Sequence, residues 1–219
     1  MFTGIVEEIG TVAAARKSGG GIRLAIEAPR SARELSVNDS VAVSGVCQTV
    51  VARRGHTFEM TAVEETLRKT TLGALRKGSR VNIELPMRLN ERLGGHLVLG
   101  HVDAVGNITG IEERASSRHI SVRVPQRFLQ YIVPIGSIAV NGVSLTIAEV
   151  EGDILRVTII PHTLEQTTFG SAKAGDLVNL EFDVVGKYCE RLMAPHLPGG
   201  GAGRAVLPWN AAELQEMGF

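Results

Sequence analysis

The chain alternates before it does anything else. Ile22-Arg23-Leu24-Ala25-Ile26-Glu27 places apolar residues at every second position, the pattern of a strand with one face buried. Arg80 to Leu85 alternates in the same way, and Gly4 to Val12, Ser40 to Ala52 and His56 to Val63 are β-branched, strand-like runs. Gly19-Gly20-Gly21 and Gly55 punctuate them as turns. Pro29 to Leu35 reads as a short connection. Glu64 to Leu75 carries Leu67, Leu72 and Leu75 and predicts a short helix.

The same series is then written again. Val43-Ser44-Gly45-Val46-Cys47-Gln48-Thr49 returns as Val140-Asn141-Gly142-Val143-Ser144-Leu145-Thr146, 97 residues on. Gly4-Ile5-Val6 returns as Gly100-His101-Val102, Thr66-Leu67 as Thr163-Leu164, and Val81-Asn82-Ile83-Glu84 as Val178-Asn179-Leu180-Glu181. The early segments are offset by 96, so one extra residue lies between the first strands and the motif. A repeat of this length is a duplicated domain. Short strands with Gly-rich turns suggest a sandwich or a small barrel, and a barrel removes exposed edges from so small a unit. The expected division is 1–90, 91–186 and a tail, 187–219.

The tail is not repeated. Val184, Val185, Tyr188, Cys189, Leu192 and Met193 are spaced by threes and fours, which predicts an amphipathic helix. Pro198-Gly199-Gly200-Gly201-Ala202-Gly203 reads as a flexible linker, and Asn210 with Glu213 as the capping box of a last helix ending at Gly218. The first helix packs either on its own barrel or on the same helix of other subunits. The second is favoured because two self-contained domains leave it few core positions.

Charge and composition remove several classes. The 23 basic and 23 acidic residues balance, with no basic stripe for a nucleic acid. The six Phe, two Tyr and one Trp are too few to build stacking platforms for single strands. Cys47 and Cys189 are too few for a disulfide framework, which favours a reduced, cytoplasmic setting. Met1 to Glu8 lacks the pattern of a signal peptide, and no apolar run approaches the ~18 residues of a membrane-spanning helix.

The chemistry concentrates where the two copies differ. Cys47 is either a small buried hydrophobe or a pocket thiol, and Ser144 stands opposite it in the repeat. Thr49 and Thr146 are strand formers or ligand-binding hydroxyls. His96 and His101 are five apart, which in a strand puts them on opposite faces, so joint metal ligation is not expected; acid–base work or a backbone hydrogen bond suits either. The glycines match no phosphate loop, and no Gly-x-Ser-x-Gly elbow occurs. Two similar barrels should carry two similar pockets, and unequal residues at one position would let two bound copies of one substrate be treated differently.

Met1-Phe2-Thr3-Gly4-Ile5-Val6, Ser44-Gly45-Val46-Cys47 with Thr49-Val50, Glu65-Thr66-Leu67, Gly94-Gly95-His96 with Gly100-His101-Val102, Asn141 to Thr146 and Ile160-Pro161-His162-Thr163-Leu164 together resemble the riboflavin synthases of the alpha-chain type. The likeness runs the length of the chain, through Gly186-Lys187-Tyr188 to Gly218-Phe219. It implies an all-β fold of two tandem Greek-key barrels and a homotrimer held by C-terminal helices. It implies a transferase in which two molecules of 6,7-dimethyl-8-ribityllumazine exchange a four-carbon unit, giving riboflavin and 5-amino-6-(D-ribitylamino)uracil. Neither cofactor nor metal is implied; a lumazine synthase is an associating partner. The active site in this family forms where the N-terminal barrel of one subunit faces the C-terminal barrel of a neighbour.

Carried onto this chain, the resemblance places ligand contacts at Gly4, Ile5, Val6, Cys47, Gln48, Thr49, Thr61, Ala62, Val63, Glu64, Glu65, Thr66, Gly100, His101, Val102, Ser144, Leu145, Thr146, Ile160, Pro161, His162, Thr163, Leu164 and Glu165. His101, Cys47, Ser40 and Thr146 are the catalytic candidates, with Asn141, Ser144 and Asp183 as positioning groups. The chain departs from many relatives at Gln48, where they have Leu, at Ile135, where they have Lys, and at Ser44, where they have Asn. Two other readings compete. One is a lumazine- or flavin-binding antenna without chemistry; the other is a flavin reductase barrel, which lacks its nicotinamide-binding half here.

Overall fold

The computed structural model describes residues 1–193. The expected linker and the expected last helix lie outside the described residues. The six strands of the first repeat are β1 (Glu8–Ser18), β2 (Gly21–Glu27), β3 (Ser40–Val43), β4 (Val46–Arg54), β5 (Thr57–Ala62) and β6 (Arg80–Glu84). Those of the second are β7 (Ala104–Glu113), β8 (Arg118–Arg123), β9 (Ser137–Val140), β10 (Val143–Glu151), β11 (Ile154–Ile159) and β12 (Leu177–Phe182). Each set closes into an antiparallel barrel, in the order β1-β2-β5-β4-β3-β6 and its counterpart β7-β8-β11-β10-β9-β12. The pairing of β2 with β5, and of β6 with β3, is the Greek-key crossing.

Strand parity builds the cores. Leu24 and Ile26 of β2 face inward with Val41, Val43, Val50, Phe58, Met60, Val81 and Ile83, all fully buried. Ile120, Val122, Ile138, Val140, Leu155, Val157 and Leu180 do the same in the second barrel. Each such side chain stabilises by about 1.5–3 kcal/mol. Bulges at corresponding places in β1, β4, β7 and β10 bend the strands into closure. The extra residue of the second repeat falls between β8 and β9. There a 3-10 helix, Gln126–Tyr131, replaces the short helix α1 (Ser31–Glu34).

Two expected elements are divided. The Ser40–Ala52 run is a hairpin: Ser44 and Gly45 take positive φ, 46° and 77°, and turn β3 into β4. Asn141 and Gly142 repeat this at 48° and 76°. Positive φ at both central residues is the type I′ geometry that follows the strands' twist. The Glu64–Leu75 helix stops early. Helix α2 spans Glu64–Lys69, and Thr70 then donates to the Thr66 carbonyl (2.7 Å) and caps a 3-10 turn, Thr71–Ala74. Helix α3 (Pro161–Gln166) and Thr167 copy the arrangement.

The two repeated turns meet back to back. A Cβ on Gly45 would stand 2.6 Å from the Gly142 nitrogen, and one on Gly142 equally close to the Gly45 nitrogen. Around this point Asn82 donates to the Asn141 carbonyl (2.9 Å) and accepts from the Thr168 N–H (2.8 Å). Asn179 reciprocates with the Ser44 carbonyl and the Thr71 N–H, both at 2.8 Å. Phe2 and Val98 exchange backbone hydrogen bonds across the join, at 2.7 and 3.1 Å. They form a small apolar cluster there with Ala42 and Ala139. The pattern is a local twofold.

Helix α4 (Val184–Met193) confirms the amphipathic run. Val185, Tyr188, Leu192 and Met193 on it are exposed. No helix among the described residues is long and apolar enough to cross a membrane.

Candidate active site

The segment before each barrel is laid on the other barrel. Glu84, at the end of β6, accepts from the Thr3 N–H (2.6 Å), the Thr3 hydroxyl (2.9 Å) and the Gly4 N–H (3.1 Å). That clamp aims the Gly4 carbonyl at the second barrel, where the Ser144 N–H donates to it at 2.7 Å. Glu181 grips the Leu99 and Gly100 N–H groups (2.7 and 3.0 Å), and the Gly100 carbonyl accepts from the Cys47 N–H of the first barrel (2.9 Å). Contact is tight: a Cβ on Gly4 would lie 2.6 Å from Ser144 Cβ, and one on Gly100 2.6 Å from Cys47 Cβ. Val6 accordingly packs against the second core and Val102 against the first.

Two half-sites result. In the second, Gly4, Ile5, Val6, Ser144, His162 and Thr163 line a cavity of about 330 Å³, with Glu7 and Arg30 at its edge. Thr163 sits on the first turn of α3, and Ile160 before it is exposed. The corresponding face of the first barrel carries Gly100, His101, Val102 and Cys47, with Glu65 and Thr66 on α2 and exposed Val63 before it. Glu65 ion-pairs with Arg68 and Lys69, whose hydrogen bonds hold its carboxyl below the usual range.

Strand parity sorts the remaining candidates. Cys47 and Thr49 point out of the first barrel, opposite Ala42 and Ser40 on β3; Thr61 also points out. Gln48, Ala62 and Leu145 are buried within their barrels. Ser144 and Thr146 face out of the second, opposite Ala139 and Ser137 on β9. Leu164 packs on the second core, and Glu64, Pro161 and Glu165 are exposed on the helices. His101, Cys47 and Ser40 therefore belong to one half-site and Thr146 to the other. Ser137 escaped the sequence reading, though it is the repeat partner of Ser40.

The two half-sites differ in what lies behind the reactive position. Cys47 packs against Phe2, Ala42, Val98 and Ala139. Ser144 Oγ instead lies 2.7 Å from Nδ1 of His96. His96 is only 8% exposed, with its backbone N–H on the Thr3 carbonyl at 3.1 Å. Burial lowers its pKa, and the Asp183 charge pulls the other way. Glu84 is pushed up to about 7 by burial, against the Thr3 and Gly4 donors. Both cysteines are free thiols. Among the described residues no group of His, Cys, Asp and Glu could hold a metal ion.

A duplicated barrel whose halves each offer one such face is the architecture of the lumazine binding domain, and that family's model matches residues 3–86 and again 99–183. Solved structures of LumP share the fold. Its complex with 6,7-dimethyl-8-(1'-D-ribityl) lumazine superposes with a TM-score of 0.76 at 24% identity, over 83% of this chain and 99% of that one. Its riboflavin complex gives 0.78 at 25% identity, with the same coverage. The riboflavin synthase of Mycobacterium bovis is 46% identical over 88% of this chain and 98% of its own. That of Actinobacillus pleuropneumoniae is 40% identical over 88% and 90%. The chain belongs to the riboflavin synthase family, and it is an enzyme of the transferase class.

Proposed function

We propose that the chain makes riboflavin from two molecules of 6,7-dimethyl-8-ribityllumazine, releasing 5-amino-6-(D-ribitylamino)uracil. The observation that carries this is one half-site built twice, with Cys47 in one copy and Ser144 in the other. Near-equal frames hold two copies of one ligand, and unequal side chains make one the donor and one the acceptor of four carbons. The family's activity and the lumazine bound to LumP support the reading.

The chemistry asks for two things. A proton must leave the C7 methyl of one lumazine, and a nucleophile must add at C7 of the other. Cys47, His101 and Ser40 are offered by the first half-site and Thr146 by the second. Orientation of two reactants can supply ~7–11 kcal/mol, and a single proton-transfer helper ~10²–10⁴-fold, so positioning is the larger part. The two half-sites of one chain open on different barrels, so the reacting pair is assembled between subunits, first barrel to second. The exposed stripe Val185, Tyr188, Leu192 and Met193 supports a trimer held by these helices. The test is to incubate the pure protein with the lumazine alone and look for riboflavin. Tight binding without product would make it an antenna.

A further inference from the structure

Among the described residues His96 is the one buried imidazole that touches either half-site, and the reaction proposed above does not use it. It lies off the cavity wall, while Ser144, half-buried, is both on that wall and 2.7 Å from His96 Nδ1. A ligand in the 330 Å³ cavity therefore meets Ser144, with the imidazole behind it. The contact is built from 48 residues away: the His96 N–H is held by the Thr3 carbonyl, and Thr3 by Glu84. Gly95 makes the approach feasible, since a Cβ there would fall 2.1 Å from the Thr3 carbonyl oxygen and 2.9 Å from Ser144 Cβ.

We infer that His96 is the proton acceptor behind Ser144, which makes the second-barrel half-site the one that takes a proton from bound lumazine. The inference rests on the lumazine reaction proposed above. In the resting site His96 is neutral, with its proton on Nε2, and Ser144 Oγ–H donates to Nδ1. When the C7–methyl C–H bond breaks, that proton passes to Ser144 Oγ as the Oγ–H proton passes to Nδ1. The electron pair stays on the lumazine, delocalised into its ring, and His96 becomes imidazolium. Burial favours the neutral starting state, and the carboxylate of Asp183 favours the charged one; Glu84, which holds Thr3 and through it the His96 N–H, has Glu7 near it. At the equivalent place Cys47 packs on the apolar cluster of Phe2, Ala42, Val98 and Ala139, where Ser144 meets His96. His96 acts through Ser144 and never on the ligand itself.

The test follows deuterium wash-in at the C7 methyl of the lumazine by NMR, beside riboflavin formation, across pH. His96→Asn keeps an acceptor near Nδ1 but holds no proton. It should bind the lumazine within about threefold of wild type while exchange and kcat both fall ~10²–10⁴-fold. The fall in kcat on protonation of the imidazole should also vanish from its pH profile. Ser144→Ala should lose as much, and the double variant no more than either alone. Exchange and kcat of His96→Asn within about threefold of wild type would overturn the inference, as would additive losses. Should His96→Asn melt below the assay temperature, Ser144→Ala decides by the same two readouts. A wild-type protein that exchanges the methyl in a His96-dependent way but forms no riboflavin would uphold the proton path and overturn the proposed reaction. One that does neither would overturn both.

Discussion

Gly142→Ala should separate the two barrels. The new Cβ would stand 2.6 Å from the Gly45 nitrogen and 2.8 Å from its Cα, both backbone atoms that no rotamer change can move. Relief to an ordinary contact of about 3.5 Å requires the turns to part by nearly 1 Å. The hydrogen bonds across the join, now 2.8–2.9 Å, would then lie beyond bonding distance. The four bonds of Asn82 and Asn179 contribute about 1 kcal/mol each. Gly142 also has φ +76°, where Ala costs a further ~1–2 kcal/mol. The sum is about 5–6 kcal/mol, enough to leave little stability in an ordinary domain. Gly152→Ala is the control: φ is +58°, and nothing lies within 4 Å of the added Cβ. It should lose only the ~1–2 kcal/mol of the backbone term. Urea unfolding of both variants gives the difference. If Gly142→Ala costs no more than Gly152→Ala, the back-to-back contact does not hold the barrels together.

Other positions give independent checks. Ile135 is β-branched, 83% exposed and held at φ +64°, whereas its repeat partner Asn38 takes φ +78° with a residue suited to it. Ile135→Asn should therefore raise stability by ~1–2 kcal/mol in denaturant melts, and a loss would contradict the strain argument. Glu84 has its pKa raised from 4.5 to about 7, so the folded state binds the proton more tightly than the unfolded chain. The stability this gives is complete below pH 4.5 and is lost as pH rises to about 7, up to ~3 kcal/mol. Glu84→Gln should flatten that slope; melting curves parallel to wild type across this range would refute it. Cys47→Ser should slow turnover without abolishing it, and an unchanged kcat would remove the thiol from the chemistry. Deleting residues from Lys187 onward should yield monomers on light scattering, and a persistent trimer would refute the helix-held assembly.

Much of the fold could be read along the chain because strand parity and duplication are local signals. Ile22 to Glu27 alternates because one face of β2 is core, and the copied order of strands required a copied barrel. The hairpin inside Ser40–Ala52 was harder. Ser44-Gly45 is a weak turn signal, while Asn141-Gly142 is a strong one whose copy would have divided both runs. Thr70 and Thr167 ended the short helices through side-chain bonds that spacing of leucines does not reveal. The half-sites were legible as lists of residues but not as surfaces. Nothing near Gly4 says that it lies on Ser144, or near Gly100 that it lies on Cys47. Those contacts depend on Glu84 and Glu181, buried acids that alternation alone would place in solvent. His96 and Ser144 likewise meet only through the fold.

The central claim is that two equal frames with unequal side chains join two copies of one molecule. The measurement that tests it most directly is the stoichiometry of the purified protein given 6,7-dimethyl-8-ribityllumazine and nothing else. Two lumazines should disappear for each riboflavin formed, with one 5-amino-6-(D-ribitylamino)uracil released. Lumazine that binds and is recovered unchanged would contradict the claim.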